Sequence, residues 1–168
     1  IDFLEFKEKS LKGYTLIEGF PGMGLVGTIA AKYVVEKLKF DFYGCIRSDM
    51  FMPVIRIHNG VPVHPSRIYV NADLKLVVLI SEQVIPKLFV NKMAIATVDW
   101  VKKKQIARVI SLSGINANEQ TQNLIYGIAA NHESLKLLKG HGLEIIQDGI
   151  TTGVTAMILL ELKRTSIQ

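Results

Sequence analysis

A glycine-rich turn near the start of the chain limits its fold more than any other feature. Residues 14–19 favour a β-strand, and Gly22, Gly24 and Gly27 then follow with G-x-G-x-x-G spacing at the start of a helical pattern. Two interpretations are open: backbone amides at a helix N-terminus hold a phosphate, or small residues allow close packing in a βα unit. Pro21 removes an N–H donor from the turn, which favours packing.

The segment after the turn predicts an amphipathic helix. Its apolar residues recur at intervals of three and four, and we expect the face they form to pack in the core. This face comprises Leu25, Val26, Ile29, Ala30, Tyr33, Val34 and Leu38, and the opposite face comprises Thr28, Lys32 and Glu36. A dinucleotide fold would also place an acidic residue about 20 residues past the glycines, and Asp49 is the candidate at that distance.

Composition and length indicate one globular domain. The chain has 168 residues, of which 49% are hydrophobic and 21% charged, so we expect a single α/β domain over residues 1–168. Its apolar runs are too short to span a membrane, and Asp2, Glu5 and Glu8 argue against a signal peptide. The sequence therefore predicts a soluble, cytoplasmic protein. Because it begins at Ile1 and not at Met, we expect a fragment of a longer protein.

Charge and cysteine content exclude several classes. The net charge of +5 is modest, and its densest run, at residues 102–104, ends a predicted helix, where cations complement the helix dipole. With no basic stripe and no RNA-binding signature, we expect no nucleic-acid partner. Cys45 is the single cysteine and lies in a predicted buried strand, which excludes an intrachain disulfide and a thiolate zinc cluster.

Strands and helices alternate along the rest of the chain. Apolar runs at 74–81 and 108–113 predict central strands covered on both faces, and we expect further strands at 42–46 and 124–130. Helices are expected from Asn91, as N-cap, to the lysine run, over 131–139 and over 154–163. This order predicts a three-layer α/β/α domain with a mostly parallel sheet and a β-hairpin insertion.

The hairpin is predicted by Asn59-Gly60, which joins an apolar strand at 51–58 to residues 61–65. In this register His58 opposes Val61, and Ile57 opposes Pro62, whose missing N–H confines the ribbon to an edge. His58 and His64 differ in parity along the ribbon. We therefore expect them not to share a metal ion.

Loops that follow parallel strands meet at one edge of a sheet, where a ligand would bind. The candidate crevice residues are Gly22, Gly24, Gly27, Glu82, Ser113, Gly114, Gly149 and Gly153. Glu82 is either a base or a carboxylate at a helix start, and we favour the second role because the sequence identifies no partner. Ser113 lacks the G-x-S-x-G elbow and is interpreted as a capping or turn residue. No catalytic constellation is recognisable, so we expect no enzyme, metal or cofactor.

Five motifs occur in an order that is similar to one family. They are residues 18–27 (EGFPGMGLVG), residues 53–60 (PVIRIHNG), residues 76–82 (LVVLISE) with Pro86, residues 113–115 (SGI) and residues 149–153 (GITTG). Together they resemble the proteasome assembly chaperone family of the second-chaperone type, and its archaeal branch most closely. The resemblance covers nearly the whole chain and implies a phosphorylase/hydrolase-like α/β/α fold.

The resemblance implies a non-enzymatic scaffold or adaptor that binds proteasome α subunits and forms homo-oligomers without a cofactor. For self-association we expect an interface on the ribbon at 53–65, where Val54, Val61 and Val63 have no obvious core partner. The alternative is a nucleotide- or nucleoside-binding enzyme that uses the turn at 22–27 and Glu82. Enzymes that share this fold keep that alternative open.

Two departures from the family pattern concern binding. Some archaeal relatives end in a hydrophobic-tyrosine-any residue tail that inserts between α subunits, whereas this chain ends in Thr165-Ser-Ile-Gln168. We therefore expect this fragment to lack a C-terminal helical extension and its tail. Family members also often carry an asparagine-glycine pair after the second glycine of the last loop, where this sequence has Val154 and Thr155.

Overall fold

A computed structural model describes residues 1–116 and 124–168. The helices in these ranges are α1 (Val26–Lys37), α2 (Val90–Lys103), α3 (His132–Gly140) and α4 (Gly153–Leu162), and short 3-10 turns at Met23–Leu25 and Lys87–Phe89 lead into α1 and α2. The strands are β1 (Asp2–Glu5), β2 (Thr15–Gly19), β3 (Asp41–Arg47), β4 (Arg56–His58), β5 (Val61–Val63), β6 (Ser66–Asn71), β7 (Leu76–Ser81), β8 (Arg108–Ser111), β9 (Tyr126–Gly127) and β10 (Glu144–Ile145).

The main sheet has six strands in the order β1-β3-β6-β7-β2-β8. β2 pairs in parallel with β7 and with β8, whereas β6 with β7, β3 with β6 and β1 with β3 pair antiparallel. Strands β2, β3, β7 and β8 therefore run in the same direction. The carboxyl ends of β2, β7 and β8 meet at one edge, as the sequence predicts.

Helices cover both faces of this sheet. Alternate residues of β7 separate the two sides: Val77 and Leu79 belong to the large core formed with α2 and α4, whereas Val78 and Ile80 pack against Ala31 of α1. Such alternation is the normal consequence of the period of two in a strand. The predicted three-layer α/β/α fold is confirmed.

The predicted core face of α1 is wrong for most of its residues, although Val34 packs against the core. Buried positions on this helix are Gly27, Thr28 and Ala31, whereas the predicted core residues Leu25, Val26, Ile29, Tyr33 and Leu38 are exposed. The helix lies so close to β2 that a β-carbon at Gly19 would be 2.7 Å from the β-carbon of Ala31. Only small side chains fit this gap, so the larger apolar side chains face outward.

The hairpin has the predicted register, although its first strand begins at Arg56 and not at residue 51. His58 pairs with Val61 and Ile57 pairs with Pro62 in a two-stranded sheet separate from the main one. Asn59 and Gly60 have φ values of 49° and 79°, and two successive positive values are what a type I′ turn requires.

Other element boundaries differ from the sequence prediction. Asn91 lies inside α2, whose N-cap is Phe89, and the strand predicted at 124–130 contains only β9, which pairs with β10. Strands β1 and β6 are not predicted at all. Within the described residues, no helix combines the length and the apolar character that a bilayer crossing requires.

Candidate functional site

The glycine turn connects β2 to α1 at the edge where the parallel strands end. Gly24 has a φ of 62° and Leu25, the N-cap of α1, has a φ of 55°. Glycine adopts this left-handed conformation at no cost, whereas a leucine does so with strain. The backbone therefore turns sharply between the 3-10 segment and the helix.

Close backbone packing explains two of the candidate glycines. A β-carbon at Gly27 would overlap the carbonyl oxygen of Leu112, and one at Gly114 would overlap the carbonyl oxygen of Met23. The turn is therefore packed directly against the segment that follows β8. Gly22 belongs to the same contact, since its β-carbon position lies 3.6 Å from the Ser113 hydroxyl oxygen.

The other candidate crevice residues are engaged or exposed elsewhere. Ser113 is exposed, and its hydroxyl is 3.5 Å from the carbonyl oxygen of Gly114. Gly149 lies beside Ile146, and a β-carbon at Gly153 would have no neighbour within 4 Å. The structure brings Gly22, Ser113 and Gly114 together, whereas the loop from Gly149 to Gly153 is open to solvent.

Glu82 has two partners, contrary to the sequence interpretation. Arg56 Nη1 donates to both of its carboxylate oxygens, at 2.8 and 2.9 Å, and Arg67 Nη2 donates to one of them at 2.6 Å. The role of a helix-start carboxylate is wrong, because the next helical turn has Pro86 as its N-cap. Glu82 instead connects the hairpin, through Arg56, to the main sheet, through Arg67.

Arg67 is the most buried member of this ion cluster. Its side chain is 6% exposed, and it also donates to the Tyr69 hydroxyl at 2.9 Å and to the His64 carbonyl at 2.6 Å. Buried charges need such complete partnering, because desolvation is costly. The sequence analysis missed Arg56 and Arg67. The sequence signal that could have identified these two arginines is that each is a charged residue within an otherwise apolar segment.

Glu18, at the end of β2, is a third functional residue that is not predicted from the sequence. Its carboxyl group is fully buried and accepts hydrogen bonds from the Thr155 hydroxyl at 2.9 Å and from the Phe20 N–H at 3.2 Å. Ser111, opposite Glu18 on β8, faces the same group, but its hydroxyl forms no hydrogen bond within the described residues. Burial raises the pKa of Glu18, and the hydrogen bonds offset this only in part.

Thr155, one of the residues at which the sequence departs from the family pattern, has a structural role. Thr155 lies in the first turn of α4 and fastens that helix to β2 through Glu18. The side chain at position 155 therefore makes an internal contact, whereas the loop that precedes it faces solvent.

Asp49 does not have the geometry of a ribose ligand. It follows β3, which is separated from β2 by β6 and β7, whereas a dinucleotide fold places the acidic strand end next to the glycine turn. The dinucleotide interpretation of Asp49 is therefore wrong.

The two ribbon histidines line the same cavity, although parity predicts opposite faces of the ribbon. Strand β5 ends at Val63, so His64 leaves the ribbon, and both His58 and His64 line one cavity beside α1. Across residues 1–116 and 124–168, no group of three or more histidine, cysteine, aspartate or glutamate side chains could hold a metal ion.

The ribbon valines differ in exposure. Val54 and Val61 are exposed, by 42% and 56%, whereas Val63 is half-buried and lines the same cavity as the histidines. A surface interface at Val54 and Val61 remains a prediction.

These features define the class of protein. It is a three-layer α/β/α domain whose glycine turn packs against the segment that follows β8 and whose strand-end carboxylates are held in internal contacts. The chain belongs to the PAC2 family, whose model matches residues 16–168. The expected membership of the proteasome assembly chaperone family is thereby confirmed.

Solved structures and a curated relative agree with this family. The chain is similar to Pyrococcus furiosus PbaA, described as an archaeal homolog of proteasome-assembly chaperone, with 29% identity, a TM-score of 0.85, and coverage of 97% of this chain and 67% of PbaA. It is also similar in fold to PbaB of the same organism, an archaeal proteasome activator, with 19% identity, a TM-score of 0.83, and coverage of 99% and 76%. An uncharacterized protein of Methanocaldococcus jannaschii is 30% identical over 164 residues, which are 96% of this chain and 67% of that protein.

Proposed function

We propose that this protein is a non-catalytic proteasome assembly chaperone that binds proteasome α subunits and self-associates. Its family and its similarity to PbaA support the role. The role also implies a cytoplasmic location, where a chaperone of this kind would meet newly made subunits.

The observation that carries the proposal is the packing of the glycine turn. The backbone of the segment after β8 packs against Gly27, and Gly114 lies against Met23, so close packing accounts for these glycines. Pro21 also removes an N–H donor that a phosphate would use. The turn is therefore better suited to stabilise the fold than to hold a nucleotide.

The charged groups near the strand ends also favour a binding role over catalysis. Glu82 is neutralised by two arginines, and Glu18 has no access to solvent. A general base must reach a proton of the substrate. Neither carboxylate is placed to do so.

An exposed apolar stripe on α1 supports association with other proteins. Val26, Ile29 and Tyr33 recur on one side of the helix and are exposed by 48%, 60% and 60%. Contiguous apolar surface of this kind often marks a protein-binding site.

The experiment is capture of purified proteasome α subunits by the full-length protein, followed by mass measurement of the complex. We expect a stable complex and no turnover of nucleotides or nucleosides by the same preparation. Saturable hydrolysis or phosphorolysis that disappears in Glu82→Gln, together with failure to capture α subunits, would overturn the proposal. That result would favour an enzyme instead.

A further inference from the structure

A cavity of about 560 Å³ lies between α1 and the hairpin, on the α1 side of the main sheet. Its lining includes Val35 of α1, Phe42 of β3, Tyr69 of β6, Ile80 of β7 and Val63 of β5. Pockets that hold small molecules commonly measure about 300–1,000 Å³ and are mostly apolar. This cavity therefore has the size and the lining of a small-molecule site.

Aromatic rings form one part of the wall. The rings of Phe42 and Tyr69 are 5.8 Å apart in an edge-to-face arrangement, and the rings of Phe6 and Phe42 are stacked at 5.8 Å. Phe6 and Phe42 are 58% and 41% exposed. These rings offer a flat apolar ligand a surface to pack against.

The ionic part of the wall carries an excess of positive charge. Arg56 and Arg67 both line the cavity, yet they share one carboxylate, that of Glu82. Lys32 and Glu36, also in the lining, lie 4.0 Å apart and balance each other. Three cations against two carboxylates leave one positive charge, and a partly desolvated excess charge favours an anion.

Arg56 is placed to receive that anion. Its side chain is 23% exposed, and within the described part of the chain it donates hydrogen bonds through Nη1 alone. Its Nε and Nη2 groups remain as donors. A planar guanidinium suits a carboxylate or phosphate because it can donate two parallel hydrogen bonds.

We propose that this cavity binds a small organic anion that has a flat apolar or aromatic body. The body packs against Phe42 and Tyr69, and the anionic group pairs with Arg56. This site is separate from the glycine turn and does not depend on binding to proteasome subunits.

The test uses three probes measured by isothermal titration calorimetry on the purified protein. The probe 2-naphthoate has a flat ring and an anionic group, 2-naphthamide has the ring without the charge, and acetate has the charge without the ring. We expect saturable one-to-one binding of 2-naphthoate, binding of 2-naphthamide weaker by about tenfold or more, and no measurable binding of acetate.

Two pairs of variants locate the binding. Arg56→Gln should weaken 2-naphthoate binding by about tenfold, whereas Lys37→Gln, the same charge change on α1 outside the cavity lining, should match the wild type. Because Arg56→Gln also loosens the hairpin, Val63→Trp is a second variant that fills the cavity and should abolish binding. Its control is Ile95→Trp, at an exposed position of α2 outside the lining.

Several results would overturn the proposal. They are the absence of saturable 2-naphthoate binding to the folded wild type, equal affinity for 2-naphthamide, retained binding in a folded Val63→Trp variant, or an equal loss in Lys37→Gln and Arg56→Gln. Circular dichroism of each variant establishes that it is folded.

Discussion

Gly27 determines how closely the α1 layer approaches the strand end at β8. The position is buried, and the obstacle to a side chain is the main-chain carbonyl of Leu112, which cannot rotate away as a side chain could. Any larger residue must therefore push helix and strand apart.

We expect Gly27→Ala to lower the free energy of unfolding by about 1–3 kcal/mol, because overpacking forces backbone shifts. Urea denaturation measures this change. The control is Gly140→Ala at the end of α3, where a β-carbon would meet nothing within 4 Å and where alanine is the better helix former. Equal stability of Gly27→Ala and the wild type would contradict the packing role.

Glu18 predicts a specific dependence of stability on pH. Its pKa is raised in the folded state by burial, so the native protein holds this proton more tightly than the unfolded chain does. The stabilisation from this group is fully present below the unfolded pKa and is lost as pH rises through the folded pKa.

Glu18→Gln replaces the titrating carboxyl group with an amide of the same shape. We expect the melting temperature of Glu18→Gln, relative to the wild type, to increase between about pH 4 and about pH 8, because only the wild type must bury a developing charge. Differential scanning calorimetry across this range measures the effect. A relative melting temperature that is the same at every pH would be inconsistent with the assignment, and Glu36→Gln at an exposed site on α1 serves as the control.

At the scale of elements, the hairpin is held to the sheet by the ion cluster around Glu82. Within residues 1–116 and 124–168, the two ribbon strands pair only with each other, and the contact of Arg56 with Glu82 connects the ribbon to the sheet. Removing the carboxylate would leave two guanidinium groups beside each other, one of them almost fully buried.

We expect Glu82→Gln to reduce the free energy of unfolding by about 1–3 kcal/mol, below the full cost of breaking a buried pair because Glu82 is partly exposed. Denaturant unfolding gives this value, and limited proteolysis near Asn59-Gly60 reports whether the hairpin detaches. A double-mutant cycle with Arg56→Met measures the coupling across the contact between hairpin and sheet. Zero coupling energy would mean that the pair contributes nothing to docking.

The elements that the sequence predicts well are those with a strong local signal. The type I′ turn at Asn59-Gly60 fixes the hairpin register, and the apolar run of β7 identifies a central strand whatever its neighbours. The buried residues of α2, such as Met93 and Val98, also follow directly from their spacing.

Prediction from the sequence is wrong where the neighbouring element determines which residues are buried. The apolar residues of α1 do recur with a helical period. However, the helix approaches the sheet so closely at Gly19 and Gly27 that only small residues fit on its buried face. Strand β6 is not predicted because Arg67, a charged residue, resembles a surface residue in the sequence. Its burial is explained only by its ion pair with Glu82 in the folded protein. The same holds for the candidate site. The glycines can be identified in the sequence, but their contacts with Leu112 and Met23 depend on how closely β8 approaches the turn.

At the scale of the whole molecule, apolar side chains are exposed in several regions, and two of these regions are candidates for an interface. One is the stripe of Val26, Ile29 and Tyr33 on α1, and the other is the ribbon with Val54 and Val61. Large exposed apolar patches are uncommon on isolated soluble domains and commonly mark interfaces. A domain of this shape is therefore expected to bury at least one of them against another chain.

The last prediction is that the protein self-associates through the ribbon. Size-exclusion chromatography with light scattering at micromolar concentration should give a mass above that of the monomer, and Val54→Glu with Val61→Glu should reduce it to the monomer, because an interface cannot bury unpaired carboxylates without a large cost. Val63 is left unchanged because it is half-buried and lines the cavity. Ile29→Glu on α1 is the comparison. If Ile29→Glu dissociates the assembly and the ribbon variant does not, the self-association surface lies on α1 and the ribbon prediction is wrong. If the wild type is a monomer, self-association itself is excluded under these conditions.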